Sequence, residues 1–356
     1  MRHALLFGIS LGLSTATIAA EFSVLGIKFD SSFEAQTCPT LGVSGGEMTV
    51  RESAVEATCI SQNGRLAGTQ LGLWSDEHIP GMRRVTDACH AHGSAILVQI
   101  HHAGSKTPKE VYDPSLAPSD LSTDKVSARA MTLDELHDIQ QAYIDAALRA
   151  QKAGFDGVEL HGAHGYLISQ FMSPITNRRS DQYGGEIANR MRFSCEIVEG
   201  IRKACGSAFI IGYRMGCNEP TLENGIIIAK ELERRGVDLL HVSAGISSGE
   251  EPKIPEGFPF TWIVYGASVI KKQVGIPVIA VNGIRTPQQA AAILDAGMAD
   301  FAAVGKGMLV DAEWANKAKE NHEIILCKSC KMCRWFVNGE QCPRMREARR
   351  AVTTTP

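Results

Sequence analysis

The sequence predicts an α/β fold built on a parallel sheet. Short apolar, β-rich runs recur at Ile96–Ile100, Gly157–Leu160, Phe209–Tyr213, Leu239–Val242, Pro277–Val281 and Phe301–Val304, with helical patterns between most of them. The runs are continuously apolar rather than alternating, as strands covered on both faces must be. An open doubly wound sheet and a closed (β/α)8 barrel both satisfy this pattern. No Gly-x-Gly-x-x-Gly follows an early strand, which weighs against a dinucleotide-binding unit.

Taken in order, Val55–Ile60 supplies a seventh strand, and an eighth has to come from residues 21–45. Asp76–His92 is amphipathic. Thr132–Ala153 opens with a capping-box spacing, Thr132 to Glu135, and stops at Gly154. Ile187–Lys203 and Gly225–Arg235 follow as helices. Pro287–Ala296 begins with Thr286-Pro287, an N-cap followed by a proline suited to the first turn, and ends at Gly297. The longest loops, Ser105–Arg129 and Gly245–Phe260, are rich in Pro, Ser and Asp and follow strands, where barrels build their sites.

The 356 residues are enough for one large domain or two smaller ones. A net charge of −3 with 21% charged residues offers no basic field for nucleic acid. The Arg344, Arg346, Arg349, Arg350 run is short and reads as a solvated face or tail. No apolar run reaches the roughly 20 residues of a membrane span. Met1–Ala20 reads equally as a short secretory signal and as a buried segment. Of ten cysteines, Cys327, Cys330, Cys333 and Cys342 are bunched near the C-terminus, as a ligand set rather than a disulfide framework. A metal or cluster site there favours a reducing cytoplasm.

Candidate chemistry sits at successive strand ends. His161-Gly-Ala-His164-Gly-Tyr166 leaves the strand ending at Leu160. Two ring N–H groups can hold a substrate oxygen and a phenol can deliver a proton; structural histidines and a packed tyrosine are the plainer alternative. Gln99 is a polar amide in an apolar strand, able to donate and accept toward a flat heterocycle; a satisfied core glutamine is the plainer alternative. Arg214 ends another buried strand, where an unpaired guanidinium is costly; a buried ion pair is the plainer alternative. Beside flavin N1/O2 such a cation would stabilise the reduced ring. Gly283, Gly305 and Lys306 lie after the last two strands, where barrels often bind phosphate.

Residues from about Thr49 to Lys319 resemble the Old Yellow Enzyme family of FMN-dependent ene-reductases, and within it the NADH:flavin oxidoreductase and dienoyl-CoA-reductase-like branch. The matching blocks are Leu73-Trp-Ser-Asp76, Gln99-Ile-His-His-Ala-Gly104, Ala153–Leu167, Phe171-Met-Ser-Pro174, Asn177-Arg178, Asp181-Gln-Tyr-Gly-Gly185, Asn189-Arg190 and Arg214. The resemblance implies a (β/α)8 TIM barrel over residues 49–322, preceded by an atypical segment 1–48 and followed by a Cys-rich extension 323–356. It implies FMN at the C-terminal strand ends, with Ala57 against the ring, Gln99 and Arg214 at its pyrimidine edge, and Gly283, Gly305 and Lys306 at the phosphate. His161 and His164 match the pair gripping a substrate carbonyl or nitro oxygen, and Tyr166 matches the proton donor. NAD(P)H is the implied reductant and a small activated alkene the implied substrate; no nucleic acid or membrane is implied, and a homo-oligomer is compatible.

The Asp181–Gly185 block reads as a structural clamp. The branch also implies a [4Fe–4S] cluster on Cys327, Cys330, Cys333 and Cys342, with zinc as the competing ligand and free thiols as the plain alternative. Two departures stand out. Residues 1–48 carry at most a degenerate remnant of the family's opening segment, Phe33-Glu-Ala-Gln-Thr-Cys-Pro39, and position 306 is lysine where the family usually has arginine. The alternatives to an ene-reductase are a catalytically impaired flavin- or metal-binding relative and an iron–sulfur electron-transfer partner.

Overall fold

The computed structural model describes residues 10–11, 20–21, 58–123, 126–333 and 341–347. Seven parallel strands form one sheet in chain order: β1 (Thr58–Cys59), β2 (Leu97–His101), β3 (Gly157–Gly162), β4 (Ile210–Gly216), β5 (Leu239–Ser243), β6 (Val278–Ala280) and β7 (Phe301–Ala302). Every neighbouring pair is parallel and sequential, the winding of a (β/α)8 barrel. The eighth strand expected from residues 21–45, the signal-like segment and most of the 1–48 segment lie outside the described residues. Ser10–Leu11 and Ala20–Glu21 form a short antiparallel pair.

Strand alternation divides the core in two. Val158, Leu160, Ile211, Tyr213, Leu240, Val242, Val278, Ala280 and Ala302 belong to the large core beneath the helices. Leu239, Ile279 and Ala303, with Val281 and Phe301, form a small separate cluster on the opposite face of the sheet. That second face is the barrel interior. By the two-residue period it also carries Gln99, Glu159, His161, Arg214 and His241.

The helices form where their caps predict. α1 (Ile79–His90) follows a 3-10 turn capped by Ser75. In α2 (Leu133–Lys152), Glu135 N–H donates to Thr132 Oγ1 at 3.2 Å, while Thr132 N–H donates back to Glu135 Oε2 at 3.0 Å. α3 (Leu167–Met172) is buried on every side, and α4 (Ile187–Cys205) packs on α2. Phe171 of α3 stacks on Phe193 of α4 at 4.2 Å.

α5 (Leu222–Arg234) starts three residues before the predicted Gly225, because Thr221 caps it through Asn224 N–H. α6 (Trp262–Lys271) was not anticipated. Its sequence Trp-Ile-Val-Tyr-Gly-Ala-Ser-Val-Ile-Lys is mostly apolar and carries little helical periodicity. α7 (Pro287–Asp295) has the expected Thr286 cap. Two short helices, α8 (Lys306–Val310) and α9 (Trp314–Glu320), follow β7. The Ser105–Arg129 loop is not irregular: Ser115–Ala117, Leu121–Ser122 and Ser127–Ala130 form a small mixed sheet.

The Asp181–Gly185 block is a clamp. Arg179 pairs with Asp181 at 2.6 Å, Asp181 Oδ1 accepts from Tyr183 N–H at 3.0 Å, and Tyr183 donates its phenol to Glu196 at 2.8 Å.

Candidate active site

The strand register assembles the site. Gln99 of β2 is paired with Glu159 of β3. Arg214 of β4 is paired with His161 of β3 on one side and His241 of β5 on the other. Side chains from four adjacent strands therefore meet in one polar band of the barrel interior. Gln99 Nε2 donates to Glu159 Oε1, and His241 Nδ1 donates to Glu159 Oε2 at 2.9 Å. Glu159 is 0% exposed and His241 4% exposed. Burial raises the Glu159 pKa, but His241, Arg214 and Gln99 together outweigh it and hold the carboxyl below its ordinary range. Burial holds His241 below its own range. The pair is thus a carboxylate with a neutral imidazole donor.

Arg214 is held by its strand in this interior, and burial pulls its pKa down while Glu159 pushes it up. Its buried Nε has no hydrogen-bond partner among the described residues. Such an orphan donor is costly unless something absent from the protein chain accepts it.

After β3 the chain turns back over the strand ends. His164 (φ 59) and Gly165 (φ 67) both take left-handed conformations. A non-glycine residue there stores strain, a recurrent mark of functional sites. The turn is pinned by His164 N–H to Ala244 O at 3.2 Å and by Lys106 Nζ to His164 O at 2.6 Å.

His161 Nδ1 accepts from Ala163 N–H at 3.4 Å, so its proton resides on Nε2. That N–H donates to His164 Nδ1 at 3.2 Å, leaving His164 Nε2–H to donate to Ser243 Oγ at 2.8 Å. Burial, then neighbouring positive charge, drives both pKa values down, that of His164 to about 3. Both rings are neutral at physiological pH. Tyr166 is the N-cap residue of α3; its ring lies 4.8 Å from His161 and 5.2 Å from His101, and Lys106 Nζ sits 5.2 Å over it. His161, His164, Tyr166, Gln99 and Arg214 are therefore brought together.

The phosphate candidates lie on the next two strands. Gly283 (φ 75) follows β6 beside Asn282 (φ 88), and Gly305 is the N-cap residue of α8, with no side-chain cap, followed by Lys306. All four are exposed. Ala57 lies outside the described residues.

Cys327, Cys330, Cys333 and Cys342 line one pocket with Lys306 and Arg344. They do not converge as a ligand set: among the described residues no three His, Cys, Asp or Glu side chains are placed to hold a metal ion. A tetrahedral zinc site needs thiolates about 2.3 Å from a common centre. Here Cys327, Cys333 and Cys342 sit instead among Val310, Leu309 and Ile325.

Sequence reasoning passed over Glu159, His241, His101, Lys106, Ser243 and Glu219. The signal was present for Glu159 and His241, each a polar residue inside an apolar strand run, the same argument that flagged Gln99 and Arg214. Glu219 follows β4 and is 2% exposed. Ser169 Oγ–H donates to it at 2.5 Å, and burial pushes its pKa up to about 8.

Residues 46–324 match the NADH:flavin oxidoreductase / NADH oxidase family, more than half of the chain. The chain belongs to this family. The resemblance to the Old Yellow Enzyme family is thereby borne out, and the fold is its TIM barrel.

Among curated relatives, an NADH oxidase of Thermoanaerobacter brockii is 46% identical over 279 residues, covering 75% of this chain and 43% of that protein. A metal reductase of Desulforamulus reducens is 38% identical, covering 74% and 40%. The chain thus spans about two fifths of the length of these two relatives. An NADPH dehydrogenase of Halalkalibacterium halodurans is 37% identical, covering 74% and 78%. Among solved structures, morphinone reductase in complex with tetrahydroNAD has a TM-score of 0.66 at 27% identity, covering 78% of this chain and 82% of that one. A 2-naphthoyl-CoA reductase complex has a TM-score of 0.72 over 91% of this chain and 53% of that one, and at 24% identity speaks to the fold alone. Among the described residues no helix is long and apolar enough to cross a membrane.

Proposed function

We propose that the chain is an FMN-dependent oxidoreductase that takes reducing equivalents from NAD(P)H and delivers them to an activated carbon–carbon double bond of a small enone, enoate, dienoyl or nitroalkene substrate. The observation that carries this reading is the convergence of Gln99 and Arg214 with His161, His164 and Tyr166 around one end of the barrel. The residues fit FMN. Arg214 offers a buried Nε donor that has no hydrogen-bond partner among the described residues. Gln99 has committed one of its two amide N–H groups to Glu159, which orients the amide with its carbonyl oxygen turned away from that carboxylate and able to accept. Asn282-Gly283 and Gly305-Lys306 supply open backbone and one cation for a phosphate. Lysine at 306 makes that contact a point charge rather than a bidentate fork.

Bound FMN supplies a carrier that accepts hydride from NAD(P)H and passes it to the alkene. The protein's share is positioning and proton delivery. A substrate carbonyl or nitro oxygen takes the Nε2 protons of His161 and His164 from their present acceptors, His164 Nδ1 and Ser243 Oγ. Being neutral, the imidazoles donate hydrogen bonds without adding buried charge. Two such bonds polarise the double bond and fix the β-carbon for attack. Tyr166 then gives its phenolic proton to the α-carbon. Lys106 holds the turn that carries both His164 and Tyr166.

NADH and NADPH are equal candidates. The test is anaerobic turnover: FMN-loaded protein is expected to consume NAD(P)H in step with enone loss. Consumption that does not depend on the alkene would contradict the reading.

A zinc or iron–sulfur site is the second reading for the C-terminal extension; its support is the sequence spacing and the pocket that Cys327, Cys330, Cys333 and Cys342 share, although as placed the four thiols do not meet at one point. No step is routed through it. Iron, sulfide and zinc analysis of anaerobically purified protein tests it, and thiols free of all three would dismiss it.

A further inference from the structure

Glu159 has no part in the chemistry above, yet it is the most deeply placed charge in the site. An ionised carboxylate with 0% exposure is expensive, and a strand position next to Leu160 and Val158 would take an apolar residue at lower cost. What it touches is informative. One carboxylate oxygen accepts from the Gln99 amide, the other from His241 at 2.9 Å. The Gln99 contact fixes which end of that amide is turned away from Glu159. With the nitrogen held there by one of its two N–H groups, Gln99 turns its carbonyl oxygen away from Glu159, where it can accept from a donor on the ring. The charge acts on a second group: Glu159 and Arg214 each sense the other's field in this dry interior.

We propose that Glu159 is a positioning and charge-balancing residue for the flavin edge, locking the Gln99 amide in its acceptor orientation and offsetting the positive charge that Arg214 brings to the ring. The inference rests on the FMN reading. His241 is the anchor: its Nδ1–H holds the second oxygen and keeps the carboxylate from swinging onto Arg214, which would spend the guanidinium on an ion pair. The three residues form one unit across β2, β3 and β5, with Arg214 on the strand between the last two.

The charge and orientation roles predict different variants. In Glu159→Gln the offset is gone while the shape is kept. Arg214 then acts unopposed on the anionic reduced ring, so the flavin reduction potential moves to a more positive value than wild type. In Glu159→Asp the charge stays, but the shorter chain no longer reaches Gln99. FMN then binds about tenfold more weakly, the size of a lost charge-assisted hydrogen bond, and the potential stays close to wild type.

The experiment loads apoprotein with FMN, measures the dissociation constant by quenching of flavin fluorescence, and measures the potential by equilibration with a reference dye. A third variant, Gln99→Ala, completes a double-mutant cycle. If Glu159 acts through Gln99, Glu159→Asp costs no further FMN affinity in the Gln99→Ala background. A potential that is unchanged or more negative in Glu159→Gln, or affinity losses that add in full, would overturn the inference. Should Glu159→Gln fold poorly, the Asp variant and the cycle decide the orientation role, and the charge role is read from the potential of Glu159→Met, an uncharged variant of similar length. Wild-type apoprotein that binds no FMN at all would instead sink the flavin reading, and this inference with it.

Discussion

Glu219→Gln is expected to stabilise the folded protein, and increasingly so as the pH rises. The carboxyl sits behind Ser169, and its Oε2 has no hydrogen-bond partner among the described residues. A Cβ on either Gly216 or Gly245 would lie 2.8 Å from Oε1, so water has little room to solvate the charge. Burial lifts the pKa from 4.5 to about 8, against smaller opposing effects of Ser169, the Ile246 backbone and Lys106. A raised carboxyl pKa means the folded chain holds a proton that the unfolded chain has released, so stability falls as pH rises between those two values. Each tenfold change in proton affinity is worth about 1.4 kcal/mol, so at high pH the ionised group costs roughly 5 kcal/mol. At about pH 5 the cost is only about 1 kcal/mol, because the folded carboxyl is still protonated and the pH is only about half a unit above the unfolded pKa.

Glutamine keeps the shape and cannot ionise. Its own fixed cost, an amide N–H without a certain acceptor, is the same at every pH. The advantage of Glu219→Gln over wild type therefore grows by about 3–4 kcal/mol between about pH 5 and pH 8. Urea unfolding of both proteins at the two pH values, with the same FMN content throughout, measures this directly. The comparison must be with wild type at each pH, because the buried histidines push the other way. His101, His102 and His164 are each held near about 3 by burial and must charge on unfolding, which destabilises the fold below about 6.5. A difference between variant and wild type that stayed constant with pH would show that Glu219 is solvated or paired, and would refute the reasoning.

Tyr166→Phe is expected to slow the alkene half-reaction by about 100-fold or more while leaving flavin reduction by NAD(P)H near wild type, as rapid-mixing kinetics of each half would show. Equal losses in both halves would remove Tyr166 from its role. Because His161 and His164 are neutral, the KM for a carbonyl substrate should stay flat from about pH 5 to about pH 7; a KM that climbs on acidification with a midpoint near 6 would mean that at least one ring is charged when substrate binds. Phe193→Ala removes the ring that stacks on Phe171 and opens a cavity beneath α3, so denaturant unfolding should show a loss of about 3–5 kcal/mol. A loss below about 1 kcal/mol would mean that this packing does not hold the Tyr166 turn in place.

Most of the barrel was legible because its signals are local. Thr132 with Glu135, and Thr286 with Pro287, mark helix starts through a single hydrogen-bonded turn, and both caps form as read. The strands were legible as apolar runs bounded by glycine. α6 and α3 were not, for one reason: Trp262–Lys271 is mostly apolar and Leu167–Met172 is buried on all sides, so neither leaves an amphipathic stripe. In the site, the residues on β2–β4 and on the turn after β3 were found where they carried a motif. Glu159 and His241 stood out in the sequence only as polar residues in apolar strands; what they do lies in register. Nothing in the chain order says that Gln99, Glu159 and His241 meet, and only the pairing of adjacent strands brings them within hydrogen-bond reach. The cysteine spacing suggested a closed ligand set, but spacing alone does not fix the backbone that must aim four sulfurs at one point.

The most direct test of the central claim is the visible absorbance of the purified protein, as isolated and after incubation with FMN followed by removal of the unbound flavin. If Gln99, Arg214, Gly283, Gly305 and Lys306 form a flavin cradle, the protein retains FMN in stoichiometric amount and shows the oxidised-flavin band. A correctly folded protein that stays colourless after reconstitution would contradict the account.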